Sequence, residues 1–196
     1  HALYAGALIA YLLHDTPYAL SETTLHNLKQ GLLTFRFFCA GLDVPAGTVG
    51  RFPKGQQILE TLLPAFAYTA LSFKEPDKEL TAAFKRILES SDNKQAITEY
   101  ISNVNSNLAY TSTVGEIELM AQLASTSITK EKTVTGTLFM PYSGLLVAKD
   151  SLFHFNIKGF SRYIWDFESS ATENTKGRYL AYGQIEYFDF KNRHKS

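Results

Sequence analysis

Two short stretches hold the side chains whose types and spacing could do chemistry. The first is Gly50-Arg51-Phe52-Pro53, an arginine in a loop stiffened by glycine and proline. The second opens at Trp165-Asp166-Phe167-Glu168 and runs through Glu173-Asn174 to Gly177-Arg178-Tyr179. A guanidinium stays charged at any working pH and offers a planar fork of donors, so Arg51 could hold an oxygen in a fixed direction. Tryptophan and tyrosine beside carboxylate, amide and guanidinium groups suit a sugar. Its apolar face stacks on a ring while its hydroxyls take polar partners. Each stretch also has an ordinary structural reading, as a solvated loop arginine and as a turn at the lip of a sheet. Residue types alone favour the ordinary reading.

Other chemistry finds little support. There is no CxxC, HExxH or GxSxG pattern and no glycine loop suited to phosphate. His1, His14, His26, His154 and His194 are scattered without a second histidine at metal-ligand spacing, so neither a metal nor a cofactor is expected. His154, between Phe153 and Phe155 in a strand pattern, is expected to face solvent. Cys39 is the only cysteine, which excludes an intrachain disulfide. Nineteen basic side chains balance nineteen acidic ones, so a polyanion would have to be held by a local patch. That balance argues against a general nucleic-acid binder. The richest apolar run, Ala2 to Leu13, is too short to span a membrane. A chain opening on His1, without methionine or signal peptide, reads as a processed or excised segment.

The elements that must position these residues fall into two kinds. Ala2 to Leu13 reads as a helix stopped by Asp15-Thr16-Pro17. Ser21 is a candidate N-cap for a second helix, with Leu25, Leu28 and Leu32 on one face. Gly41 to Gly55, with four glycines and two prolines, is a loop. Ile58, Leu59, Leu62, Leu63 and Phe66 form a helical stripe. Pro76-Asp77 opens another helix carrying Leu80, Phe84, Ile87 and Leu88, and a shorter one is expected over Ala96 to Ile101. After Asn107 the pattern changes to strands: Thr133 to Phe139, Leu145 to Ala148 after a turn at Gly144, Leu152 to Phe160, and Tyr179 to Phe190 with a kink at Gly183. Helices followed by strands predict an α+β chain of two domains, 1–105 and 106–196.

The two chemical stretches also carry a resemblance to a known family. Leu8 to Pro17 (LIAYLLHDTP), followed by Glu22 and Asn27-Leu28-Lys29, is similar to a segment just after the catalytic histidine and tyrosine of polysaccharide lyase family 8, in particular of the chondroitin ABC lyases. Gly50-Arg51-Phe52-Pro53 looks like the loop bearing that family's catalytic arginine. Trp165-x-x-Glu168-x5-Asn174-x-x-Gly177-Arg178-Tyr179 resembles a signature near the start of the family's β domain, with six residue types at fixed offsets. Pro76-Asp77-Lys78 is a weaker match. Order and approximate spacing hold over nearly the whole chain.

The resemblance implies a partial α/α toroid of helical hairpins followed by the opening of an antiparallel β-sandwich. Such a partial toroid should leave apolar faces such as Ile58, Leu62 and Phe66 without part of their cover. The implied activity is β-elimination at the uronic acid of chondroitin- or dermatan-type glycosaminoglycans, in an extracellular or periplasmic setting. Its implied partners are an anionic polysaccharide and the remainder of a parent lyase, with no membrane or nucleic acid. Arg51 and Glu168 match catalytic positions, and Trp165, Asn174 and Arg178 match substrate-side positions. Two departures stand out. An ungapped match through Leu8 to Pro17 puts the family's histidine and tyrosine before His1; the alternative, His1 and Tyr4, requires a deletion of about three helical turns. Ala148-Lys149 stands where the family tends to have His-Arg. A non-catalytic glycan-binding or interaction module on the same scaffold is the competing function.

Overall fold

The computed structural model describes residues 2–51, 59–90, 113–164 and 167–190. Helices come first and a four-stranded antiparallel sheet comes after them, so the chain is α+β. Its contacts gather into two compact units, residues 1–36 with 58–132 and residues 37–57 with 133–196. The expected division at 105/106 is a single cut; these units are discontinuous in sequence. Expectations for Ile58, for the 96–101 helix and for Trp165 lie outside the described residues.

In the first unit α1 (Ala2–Leu13) is built of small and aliphatic residues. It stops where Thr16 gives both its amide and its hydroxyl to the Leu13 carbonyl, at 3.0 and 2.8 Å. That capping and Pro17 together prevent another turn. α2 (Glu22–Phe38) starts at Ser21, whose hydroxyl accepts the Thr24 amide at 3.3 Å. Glycine lets these two helices approach: a Cβ on Gly31 would stand 2.9 Å from a Leu3 methyl. α3 (Leu63–Leu71) is the centre of the unit, buried from Leu63 through Ala70. Leu62 and Phe66 are thus covered, contrary to the expectation of bare faces; among the described residues of this unit the large exposed aliphatics are Ile9, Leu12 and Val114. Asp77 caps α4 (Lys78–Ser90) by accepting the Glu79 and Leu80 amides at 3.1 and 2.9 Å.

A further helix, α5 (Val114–Ser125), appears where the sequence pattern suggested none. It begins with a capping box, Thr113 bonding the Glu116 amide while the Glu116 side chain returns to the Thr113 amide. Ion pairs tie the unit across long loops. Lys29 reaches Asp77 at 2.7 Å and Glu79 at 3.1 Å. Glu131 takes Arg36 on one oxygen and Arg86 on the other, the latter at 2.6 Å.

In the second unit the strands form a meander in the order β1-β2-β3-β4. They are β1 (Gly136–Met140), β2 (Leu145–Lys149), β3 (Phe153–Lys158) and β4 (Gln184–Asp189). Gly144, at φ 59°, closes the first hairpin, and Asp150 closes the second by accepting the Leu152 and Phe153 amides. The expected last strand is shorter than the sequence suggested. Arg178–Ala181 is a helical turn, and Gly183 at φ 82° redirects the chain before β4 begins.

One face of β2 and β3 is buried and unusually polar: Leu145, Val147 and Lys149 face Lys158, Asn156 and His154 across the ladder. His154 is therefore fully buried rather than exposed, its ring edge-on to Phe188 at 5.7 Å. The strict two-residue period put it on the inner face, which the flanking phenylalanines do not share. This face also fastens the glycine-rich loop. Lys149 donates to the Cys39 carbonyl at 3.4 Å, and Glu186, itself bonded by Asn156 at 3.1 Å, accepts the Ala46 amide at 3.0 Å.

Candidate functional site

The loop held by Glu186 delivers Arg51, and the long β3–β4 connection delivers its partners. Gly47 lets the two segments meet: a Cβ there would lie 2.5 Å from the Leu180 carbonyl oxygen. Gly50 sits at φ 66°, a conformation that side chains rarely adopt, and its own Cβ would lie 2.8 Å from Glu168 Oε2. Arg51 is the next residue. Its Nε stands 3.8 Å from Glu168 Oε1 and 3.5 Å from Glu173 Oε2, each side chain about half exposed. An exposed pair of this length contributes at most about 1 kcal/mol to folding. Direction, rather than stability, is what this contact can supply.

Asn174 is the latch between the two segments. Its side-chain amide donates to the Gly50 carbonyl at 3.2 Å and to the Glu168 carbonyl at 2.8 Å. To do so its backbone adopts φ 50°, which asparagine tolerates better than most residues. Gly177 closes under it; a Cβ there would meet the Asn174 amide and the Phe167 ring, each at 2.5 Å. Three residue types of the signature are thus accounted for by close packing.

Gly47, Gly50, Tyr142, Phe167, Glu168 and Asn174 line a cleft of about 320 Å³. Arg178 is exposed on the short helix, its guanidinium 5.3 Å from the Tyr179 ring centre, and does not line that cleft. Lys149, where the family tends to have a second basic residue, turns inward over the Phe37 ring at 4.8 Å. The structure brings Arg51, Glu168 and Asn174 together. Sequence reasoning singled out Glu173 only as a neighbour of Asn174; its fixed place one residue before that asparagine was the available signal. Among the described residues no grouping of histidine, cysteine, aspartate or glutamate could hold a metal.

A second cleft, of about 570 Å³, belongs to the first unit and has different chemistry. Tyr4, Tyr11, Tyr68 and Glu116 line it, and the Tyr4 hydroxyl donates to Glu116 Oε1 at 2.9 Å. Burial pushes the Glu116 carboxyl above its ordinary range, against the opposing effect of that hydrogen bond. Burial, with Glu116 beside it, likewise pushes the Tyr4 phenol up, and Tyr68 rises to about 12.

Residues 2–94 match the family model described as "Lyase, catalytic". The chain is similar to lyases of polysaccharide lyase family 8, and the match to the catalytic model falls on its helical half. Among relatives, it is 29% identical over 180 residues to a chondroitin sulfate ABC exolyase of Bacteroides thetaiotaomicron, covering 90% of this chain and 17% of that protein. It is 30% identical over 179 residues to the enzyme of the same name from Proteus vulgaris, covering 90% of this chain and 16% of that one. The chain thus spans about a sixth of the length of these relatives. In fold it is similar to a xanthan lyase of Paenibacillus, with a TM-score of 0.71 at 16% identity, over 96% of this chain and 18% of the other.

Proposed function

We propose that this chain is part of a lyase that cleaves chondroitin- or dermatan-type glycosaminoglycans by β-elimination at the uronic acid. In this reading the first unit is a sector of an α/α toroid and the sheet opens a β-sandwich. The observation that carries the proposal is the setting of Arg51, preceded by a left-handed glycine, latched by Asn174 and flanked by Glu168.

The chemistry asks for such a group. The proton at C5 of a uronate is weakly acidic because the adjoining carboxylate is already negative. Charge that spreads toward oxygen during its removal is stabilised by donors aimed where it develops. A base takes the proton and an acid protonates the departing glycosidic oxygen. Arg51 would hold the oxygen that acts as acid, or the glycosidic oxygen itself, and Glu168 would fix the direction of its fork. Asn174 spends its amide nitrogen on the latch, which leaves its oxygen for a substrate hydroxyl. Trp165 would offer a stacking face and Arg178 a charge for a sulfate or carboxylate. The polymer's location implies an extracellular or periplasmic setting; among the described residues no helix is long and apolar enough to cross a membrane.

The test is kinetic, in the complete lyase. Arg51→Lys keeps the charge and loses the fork, so turnover is expected to fall by about 100-fold or more with KM little changed. Glu168→Gln should act in the same direction by loosening the arginine. Loss confined to turnover marks an interaction made in the transition state. If both variants are as active as the parent, the two residues return to the loop-and-turn reading. If the complete protein binds chondroitin but releases no unsaturated product, the binding-module reading replaces the enzyme.

A further inference from the structure

Glu173 stands nearer to Arg51 than Glu168 does, 3.5 against 3.8 Å, and is prepared for that position by its own turn. The Ser170 hydroxyl accepts the Glu173 amide and donates to Glu173 Oε2, each at 3.0 Å. The Ser170 amide in turn donates to the Glu173 carbonyl at 3.0 Å. The oxygen that Ser170 orients is the one that faces Arg51 Nε. The next residue is Asn174, which clamps the Gly50 and Glu168 carbonyls, so Glu173 belongs to the same fixed frame. Side-chain exposure of 41% and 45% makes the pair too wet to contribute much to folding. A turn with three hydrogen bonds that aims one exposed carboxylate needs a purpose other than stability.

We infer that Glu173 is a second positioning carboxylate for Arg51, set with Glu168 around the same Nε so that the guanidinium cannot swing away from its working direction. This rests on the reading of Arg51 as a residue of the lyase centre. Two carboxylates around one guanidinium also leave this group of three with a net charge of −1. An anionic polysaccharide is therefore not drawn to Arg51 by charge in the ground state. Arg51 acts by directed donation instead, and its two carboxylates set that direction at the expense of substrate affinity.

The consequence is an opposed movement of the two kinetic constants, which damage to the fold would not produce. In the complete lyase, Glu173→Gln is expected to lower kcat by about 10- to 100-fold, as for a catalytic group displaced by an ångström. The same variant should lower KM for chondroitin about two- to threefold, the worth of one charge removed several ångströms away in water. Lost repulsion would account for that fall. Glu173→Asp, which keeps the charge, should return KM to the parent value. The double variant Glu168→Gln with Glu173→Gln should lose more turnover than the product of the single losses, because each carboxylate partly covers for the other. Arg51→Lys is the control. If Arg51→Lys is inactive while Glu173→Gln matches the parent, the role of Glu173 is overturned and the site reading stands. If Arg51→Lys is fully active, the site reading falls and takes this inference with it. A Glu173→Gln enzyme with raised KM, lowered kcat and lowered melting temperature would show a merely structural residue.

Discussion

At the scale of single residues, the spacing Gly50-Arg51 and Glu168-x5-Asn174-x-x-Gly177 was legible, but the reason for it was not. Asn174 looked like a group that meets substrate, whereas its amide nitrogen bonds the Gly50 and Glu168 carbonyls and its backbone is left-handed. A sequence names donors without saying which acceptor the chain will fold toward them. Asn174→Asp isolates the latch, because aspartate also tolerates this backbone but presents no amide donor. Two carbonyls would then face a carboxylate. The chain should lose about 1–3 kcal/mol of stability in urea unfolding near neutral pH. An unchanged midpoint would mean that the latch is ornamental. His154 shows the opposite failure: its type suggested exposure, and only the pairing Lys149↔His154 reveals that it shares the buried face.

At the scale of elements, most helices announced themselves through caps and stripes, as Ser21 and Asp77 do. α5 was equally readable, since Thr113-Val114-Gly115-Glu116 is a capping box ahead of an apolar run, yet the strand-like residues beyond it dominated the reading. The overlong last strand arose because the alternation of β4 was extended back to Tyr179, while the Asn174–Gly177 turn sets Tyr179 to Ala181 helical. Glu116 gives α5 a pH dependence. Its folded pKa is raised, first by burial and despite the Tyr4 hydrogen bond, so the folded state holds its proton more tightly than the unfolded chain. Stability from this group is therefore full below the unfolded pKa of about 4.3 and is lost as pH rises through the folded value. Glu116→Gln keeps an acceptor for Tyr4 and a capping-box side chain while removing the buried charge. It should equal or exceed the parent at pH 7, by up to about 1 kcal/mol, and lose that advantage near pH 4. Circular dichroism with urea at both pH values would decide it; a clearly less stable variant at pH 7 would mean that the charged form is the one the fold needs.

At the scale of the whole molecule, helices followed by an antiparallel sheet could be read from the change of period, and that order defines the α+β class. A shift in composition along the chain could not show that residues 37–57 gather with the sheet, because the contacts responsible are long-range: Lys149 to Cys39 and Glu186 to Ala46. This second unit supplies Arg51 with its carboxylates, and the remaining question is whether the 196 residues also hold the base and the acid. Tyr4 is the tyrosine that the gapped match would require. Its hydroxyl donates to Glu116, and burial pushes its pKa upward, the wrong way for a group that must exchange a proton near neutrality. The setting of Tyr4 therefore argues against the gapped match, which would make it the acid. The chain by itself should then release no unsaturated uronate from chondroitin, because each missing acid–base group is worth about 10²–10⁴-fold in rate. The measurement is ultraviolet absorbance of the conjugated product, made with the purified chain and with the complete lyase side by side. Product from the complete lyase alone is the expected result. Steady release by the chain, abolished by Tyr4→Phe, would make Tyr4 the acid and require Glu116 to be its partner in proton transfer rather than the cap of a helix.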